Sequence, residues 1–175
     1  MQKYLPAFLL IVLGLFSRLL PHPANFAPIA GIALFAGIYL PKKWALIIPL
    51  TAVVLSDIVL GSYQWQIMLT VYLAFIVTGL IGLAIKNNKK FHAVLGGTLI
   101  ASIIFFITTN WAVWAFGTMY PHSLNGLLQS YVMALPFFRN SLLGDLFYVG
   151  VLVGGMELII SLRGVQRRSN PVFLK

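Results

Sequence analysis

Six long apolar stretches, separated by turns that are basic at every second junction, narrow the folds open to this chain. They run from about Tyr4 to Leu20, Phe26 to Leu40, Trp44 to Leu60, Trp65 to Ile85, Ala93 to Gly117 and Ser141 to Leu162. Apolar runs of this kind, most of them near the twenty residues that a bilayer crossing needs, read as transmembrane helices. Only 9% of the residues are charged, against about 25% in an ordinary soluble domain. The expected fold class is therefore an all-α membrane protein with six transmembrane helices. The 175 residues suit one six-helix membrane domain over 1–175 and leave no room for a separate soluble one. The apolar run after Lys3 has the look of a secretory signal, but the PHPANFAP that follows is a poor cleavage site, so it is read as the first span.

Charge placement gives the orientation. Lys3, Lys42, Lys43, Lys86, Lys89, Lys90, Arg163, Arg167, Arg168 and Lys175 fall on one side of a six-span arrangement, and only Arg18 and Arg139 on the other. The positive-inside rule then puts both termini in the cytoplasm. The net charge of +9 is read as this asymmetry and not as a nucleic-acid surface. Polar and aromatic residues gather at the opposite, outer end.

One stretch breaks the pattern: TTNWAVWAFGTMYPHSLNGLLQSYVMALPFFRNSLLGD, residues 108–145. Within it Leu124, Leu127, Leu128, Tyr131, Val132 and Leu135 recur at helical spacing after Ser123, a good N-cap, and stop at Pro136. A dozen helical residues make about 18 Å, too short for about 30 Å of hydrocarbon. The expectation is a short outer re-entrant or interfacial helix over about 123–135, its polar side (Asn125, Gln129) turned to a cavity. Were it to span, the basic tail would fall outside.

The outer end supplies the candidate chemistry. Arg18, Asp57, Arg139 and Asp145 are two cations and two anions near one membrane face, where ionisable groups pair with each other or line a water-filled cavity. As a ligand site, Arg would meet an anionic group and Asp would accept from hydroxyl or amine donors. Trp111 and Trp114, with Asn110 beside them and Tyr120 at similar depth, fit an interfacial aromatic belt or a wall for a ring-bearing ligand. His22 and His122 lack a third ligand at helical spacing, so no metal is expected, and Glu157 is expected to reach Arg163 or Arg167. The absence of cysteine excludes disulfides, thiolate metal sites and cysteine nucleophiles. No nucleotide-binding loop, serine-nucleophile elbow or zinc-protease motif is present, so neither catalysis nor a cofactor is expected. The small residues Ala33 and Gly37 form a stripe that suits helix docking, within the bundle or on a partner.

The run NFAPIAGIALFAGIYLPKKWALIIPLTAVVLSDIVLG resembles the substrate-binding (S) components of energy-coupling-factor vitamin transporters. Those share a small-residue-rich early helix, a short basic turn and a third span ending in Asp-x-x-x-Gly. With TTNWAVWAFGTMYP and LPFFRNSLLGD, the chain looks closer still to an uncharacterised family of small bacterial membrane proteins sharing that fold. The resemblance implies a protein of the bacterial cytoplasmic (inner) membrane that captures a vitamin-like metabolite from outside. It also implies docking on a transmembrane scaffold protein with ATPase subunits, although some relatives are thought to act alone. In that family an Ala-x-x-x-Ala pattern in the first helices meets the scaffold. Here the first span reads LLIVLGLFSRLL, and Ala33-x-x-x-Gly37 in the second span is the nearest equivalent.

The expected function is uptake binding of a small organic metabolite, with no enzyme activity. The expected ligand residues are Asn25, Asp57, Asn110, Trp111, Trp114, Tyr120, Asn125, Gln129, Arg139 and Asp145, and the expected partner-docking residues are Ala33 and Gly37. Two alternatives stand beside it. One is a small membrane enzyme using Asp57 or Asp145 with His22 or His122 on a lipid-linked substrate, and the other is a structural membrane subunit.

Overall fold

A computed structural model describes residues 5–169 apart from 22 and 62, with the backbone alone described at 5, 6 and 165–169. Six helices account for almost all of it: α1 Leu5–Leu19, α2 Ile29–Tyr39, α3 Lys42–Leu60, α4 Trp65–Ile85, α5 Phe91–Phe116 and α6 Leu124–Ser169. Four of them, α3 to α6, are long and apolar enough to cross a membrane. The architecture is that of an α-helical membrane protein. Helices dominate because a chain in hydrocarbon must satisfy its backbone groups within each segment.

The bundle is built around its shortest member. α2 has eleven residues, about 16 Å of helix, and every residue from Gly31 to Ile38 is buried. It packs on α3, α4 and α6, with lighter contacts to α5 and α1. Ile32, Leu34, Phe35 and Ile38 form the core with Ala7 and Leu10 of α1, Ile48 of α3, Val94 of α5, and Val149 and Val153 of α6. Lipid tails are as apolar as these side chains, so close packing, rather than escape from water, must hold the helices together. Glycines permit that closeness. A Cβ on Gly37 would run into the Gly79 carbonyl oxygen and come within 2.8 Å of Gly82 Cα, and one on Gly79 would lie 2.7 Å from the Ala45 carbonyl oxygen.

This corrects the docking expectation. Ala33 has no exposed surface and Gly37 is sealed against α4, so the stripe is an internal seam and presents nothing to a partner. Periodicity alone could not show this, because small residues serve an internal and an external helix contact equally well.

The short outer helix is also corrected. Residues 124–135 do not form a separate element: they are the first turns of α6, a 46-residue helix that continues through Pro136. Proline removes one N–H and crowds the preceding turn, which ordinarily ends a helix. In apolar surroundings a break would strand further backbone groups, so the helix resumes at once. Ser123 does cap it as expected, accepting the Gly126 N–H at 3.2 Å.

The helices alternate in direction, which collects Lys42, Lys43, Lys86, Lys89, Lys90 and Arg163 at one end of the bundle. Lys86 Nζ donates to the Leu40 carbonyl there, and Lys89 Nζ lies 4.3 Å from the Tyr39 ring centroid. Glu157 at this end accepts a hydrogen bond from the Tyr39 hydroxyl, where an arginine of the tail was expected.

A cavity at the end opposite the lysines

Because α2 is short, the bundle is hollow above it. A cavity of about 390 Å³ lies at the end away from the lysines, touched by all six helices. Ile29 and Ala30, the first turn of α2, form its floor. The α5 wall is Ser102, Phe105, Phe106, Thr109, Asn110 and Val113, and the α6 wall is Ala134, Phe137, Phe138, Ser141 and Asp145. Both sets recur at i, i+3, i+4, i+7, so each is one helix face. Ile67, Val71 and Phe75 of α4, Val53 of α3, Arg18 of α1 and Tyr63 complete the lining.

The segment between α1 and α2 closes one side. Asn25 takes a left-handed conformation, φ 62°, which asparagine tolerates better than most residues. Next to it, the Ala24 carbonyl accepts Asn140 Nδ2 at 3.1 Å. Phe26 lies on α6, its ring 6.0 Å from that of Phe147 and 5.7 Å from that of Tyr148, over the bare face of Gly144. Asn25 and Ala27 thereby line the cavity.

Two polar groups stand out. Arg18 Nη1 is 2.8 Å from Asp57 Oδ1, and it also donates to Ser56 Oγ and, at 3.3 Å, to the Val53 carbonyl. The other Asp57 oxygen accepts the Tyr72 hydroxyl at 2.9 Å. Nearby, burial and the Asp57 charge push the Tyr63 hydroxyl above its ordinary pKa, partly offset by Arg18, so Tyr63 stays protonated at neutral pH. Across the cavity, Asp145 is buried with Ser102 Oγ 2.7 Å from its Oδ2. Asn110 donates Nδ2 to the Phe106 carbonyl at 2.8 Å, which leaves its amide oxygen for other partners.

The structure brings Asn25, Asn110 and Asp145 together in the lining. Asp57 stands behind Arg18 as its counter-ion and does not itself line the space. The other expected residues lie outside it. Trp111 is half exposed and edge-on to Phe116, one position off the cavity face of α5. Trp114 donates Nε1 to the Pro121 carbonyl and meets His122, and half-buried Tyr120 sits in the same turn. Asn125, Gln129 and Arg139 are exposed on α6. Arg139 and Asp145 do not pair, whereas Arg18 and Asp57 do. His22 lies outside the described residues.

Sequence reasoning missed Ser102, Thr109, Ser141, Tyr63 and the phenylalanines of the lining, and it named Arg18 among the outer charges without including it in the expected ligand residues. The signal for the α5 and α6 residues was present as the shared helical phase with Asn110 and Asp145.

Residues 1–168 match a family model described as a family of unknown function (DUF6580). No curated protein and no solved structure matches the chain.

Proposed function

The chain belongs to the DUF6580 family, and we propose that it is a membrane uptake protein that captures a small organic metabolite in the cavity above α2. The observation that carries this reading is the cavity itself. It falls within the range of small-molecule sites, about 300–1,000 Å³, and it has the usual make-up of one, apolar and aromatic walls with a few convergent polar groups. The polar groups are held in place by the fold: Arg18 by Asp57, Asp145 by Ser102, and Asn110 by its own helix.

The reading extends to topology. The chain crosses a bacterial inner membrane six times, α2 crossing together with the non-helical segment before it. The basic end faces the cytoplasm, so the cavity opens to the outside. The resemblance to transporter S components supports the same direction of capture. A scaffold with ATPase subunits, if one is used, docks elsewhere than on Ala33 and Gly37. The lining offers binding groups, and we assign no catalytic role to any of them.

Native mass spectrometry of gently solubilised protein from its own host tests this reading. A stoichiometric organic adduct, lost in the Asn110→Ala protein, is the expected result. A protein that is empty, and that no compound in a metabolite panel stabilises against heat, would overturn it.

A further inference from the structure

The ionisable groups around the cavity are unevenly partnered. Arg18 Nη1 is committed to Asp57, Ser56 and the Val53 carbonyl, and both Asp57 oxygens are occupied, one by Arg18 and one by Tyr72. That pair is neutral as a unit. Asp145 has nothing comparable. Among the described residues no cation lies within ion-pair distance of it, and its hydrogen-bond partner is Ser102. The Ser102 hydroxyl has one proton and also sits 3.0 Å from the Thr98 carbonyl, so Asp145 shares even that donor. Yet Asp145 lines the cavity while only 7% exposed, which aims its free acceptor capacity at a ligand.

A second feature points the same way. Phe75 and Phe105 pack with ring centroids 5.1 Å apart on one side of the lining, and Phe106 and Phe138 at 4.5 Å on another. Aromatic faces carry negative quadrupole density and attract cations, most strongly where water is excluded. Neither lysine nor histidine is among the described lining residues.

Resting on the capture reading above, we infer that the ligand is a ring-bearing organic cation. A protonated amine or amidinium-type group sits on Asp145, and the ring lies among the phenylalanines. The cation supplies the positive charge that Asp145 lacks. The remainder of the Arg18 guanidinium, which also lines the cavity, is left to donate to an uncharged acceptor on the ligand.

Calorimetric titration of the intact protein in lipid nanodiscs with phenethylammonium, phenethyl alcohol and phenylacetate tests this. The three differ little in shape and chiefly in charge. The ammonium ion is expected to bind roughly 10- to 100-fold more tightly than the alcohol, with phenylacetate weakest. Asp145→Asn is expected to erase the preference of ammonium over alcohol. Equal or tighter binding of the alcohol or of phenylacetate to the unaltered protein overturns the charge inference, and that comparison needs no variant to fold. A neutral or anionic host adduct in the mass spectrum overturns it too, while leaving capture standing. No adduct and no binding of any probe overturns both.

Discussion

Arg18 near the end of α1 and Asp57 near the end of α3 form a 2.8 Å ion pair whose carboxylate is 4% exposed. It fastens two helices at the mouth of the cavity and fixes where the guanidinium points. Because Asp57 is also held by Tyr72 of α4, three helices meet at one carboxylate.

Removing one member of this pair should therefore cost far more than removing both. Arg18→Met leaves a buried carboxylate without its cation, a change worth about 3–5 kcal/mol in comparable sites. The double change Arg18→Met with Asp57→Leu should recover most of that loss, since two apolar side chains leave no stranded charge. Thermal unfolding of the parent, the two single variants Arg18→Met and Asp57→Leu, and the double variant in one detergent gives the coupling directly. Equal stability of the single and double variants would show that the pair is not a fastening.

The seam of α2 on α4 makes a second prediction. Gly37→Ala places a methyl group against backbone atoms of Gly79 and Gly82, which cannot swing aside as a side chain can. The helices must separate, at a cost of about 1–3 kcal/mol or more. Gly154→Ala is the control, since a Cβ there meets nothing within 4 Å. Heat stability should fall for the first and stay within about 0.5 kcal/mol of the parent, or rise, for the second.

How much of this was legible beforehand depends on what each residue type can signal. Apolar runs and basic turns announce helices strongly, so α3, α4 and α5 appear in the sequence with nearly their observed limits. Pro136 misled, because its local meaning as a helix breaker was overridden by surroundings in which stopping costs more than continuing. In the cavity, rare residue types drew attention: of the tryptophan, tyrosine, arginine and amide candidates on the Trp111–Arg139 stretch, none lines it. The α5 and α6 walls are mostly phenylalanine, serine and threonine, common in any membrane helix. Only their phase relative to Asn110 and Asp145 sets them apart, and phase points to a cavity only once neighbouring helices are placed.

Orientation can be read chemically, because the chain has no native cysteine. Met119→Cys sits in the exposed turn between α5 and α6, and Lys89→Cys in the exposed turn between α4 and α5. In intact cells stripped of any outer barrier, a membrane-impermeant maleimide should label the first and not the second. The second should react only after permeabilisation. The reverse pattern would invert the topology and with it the side from which the cavity is filled.

The last prediction concerns the segment between α1 and α2, which is tied to α6 by the Asn140–Ala24 hydrogen bond and by the Phe26 ring. A ligand entering past this segment would have to release it, so the tie should control access. In an Ala27→Cys background, thiol labelling in detergent reports how often the cavity wall opens, since Ala27 is part of the lining. Asn140→Ala removes one neutral hydrogen bond, worth about 1 kcal/mol, and should raise the labelling rate about fivefold. Phe26→Ala takes away the larger ring contact and should raise it further. Global unfolding should respond less than labelling does, because neither side chain belongs to the core around α2. Labelling rates unchanged in both variants would mean that the segment moves independently of its ties, and entry would then have to lie along another side of the bundle.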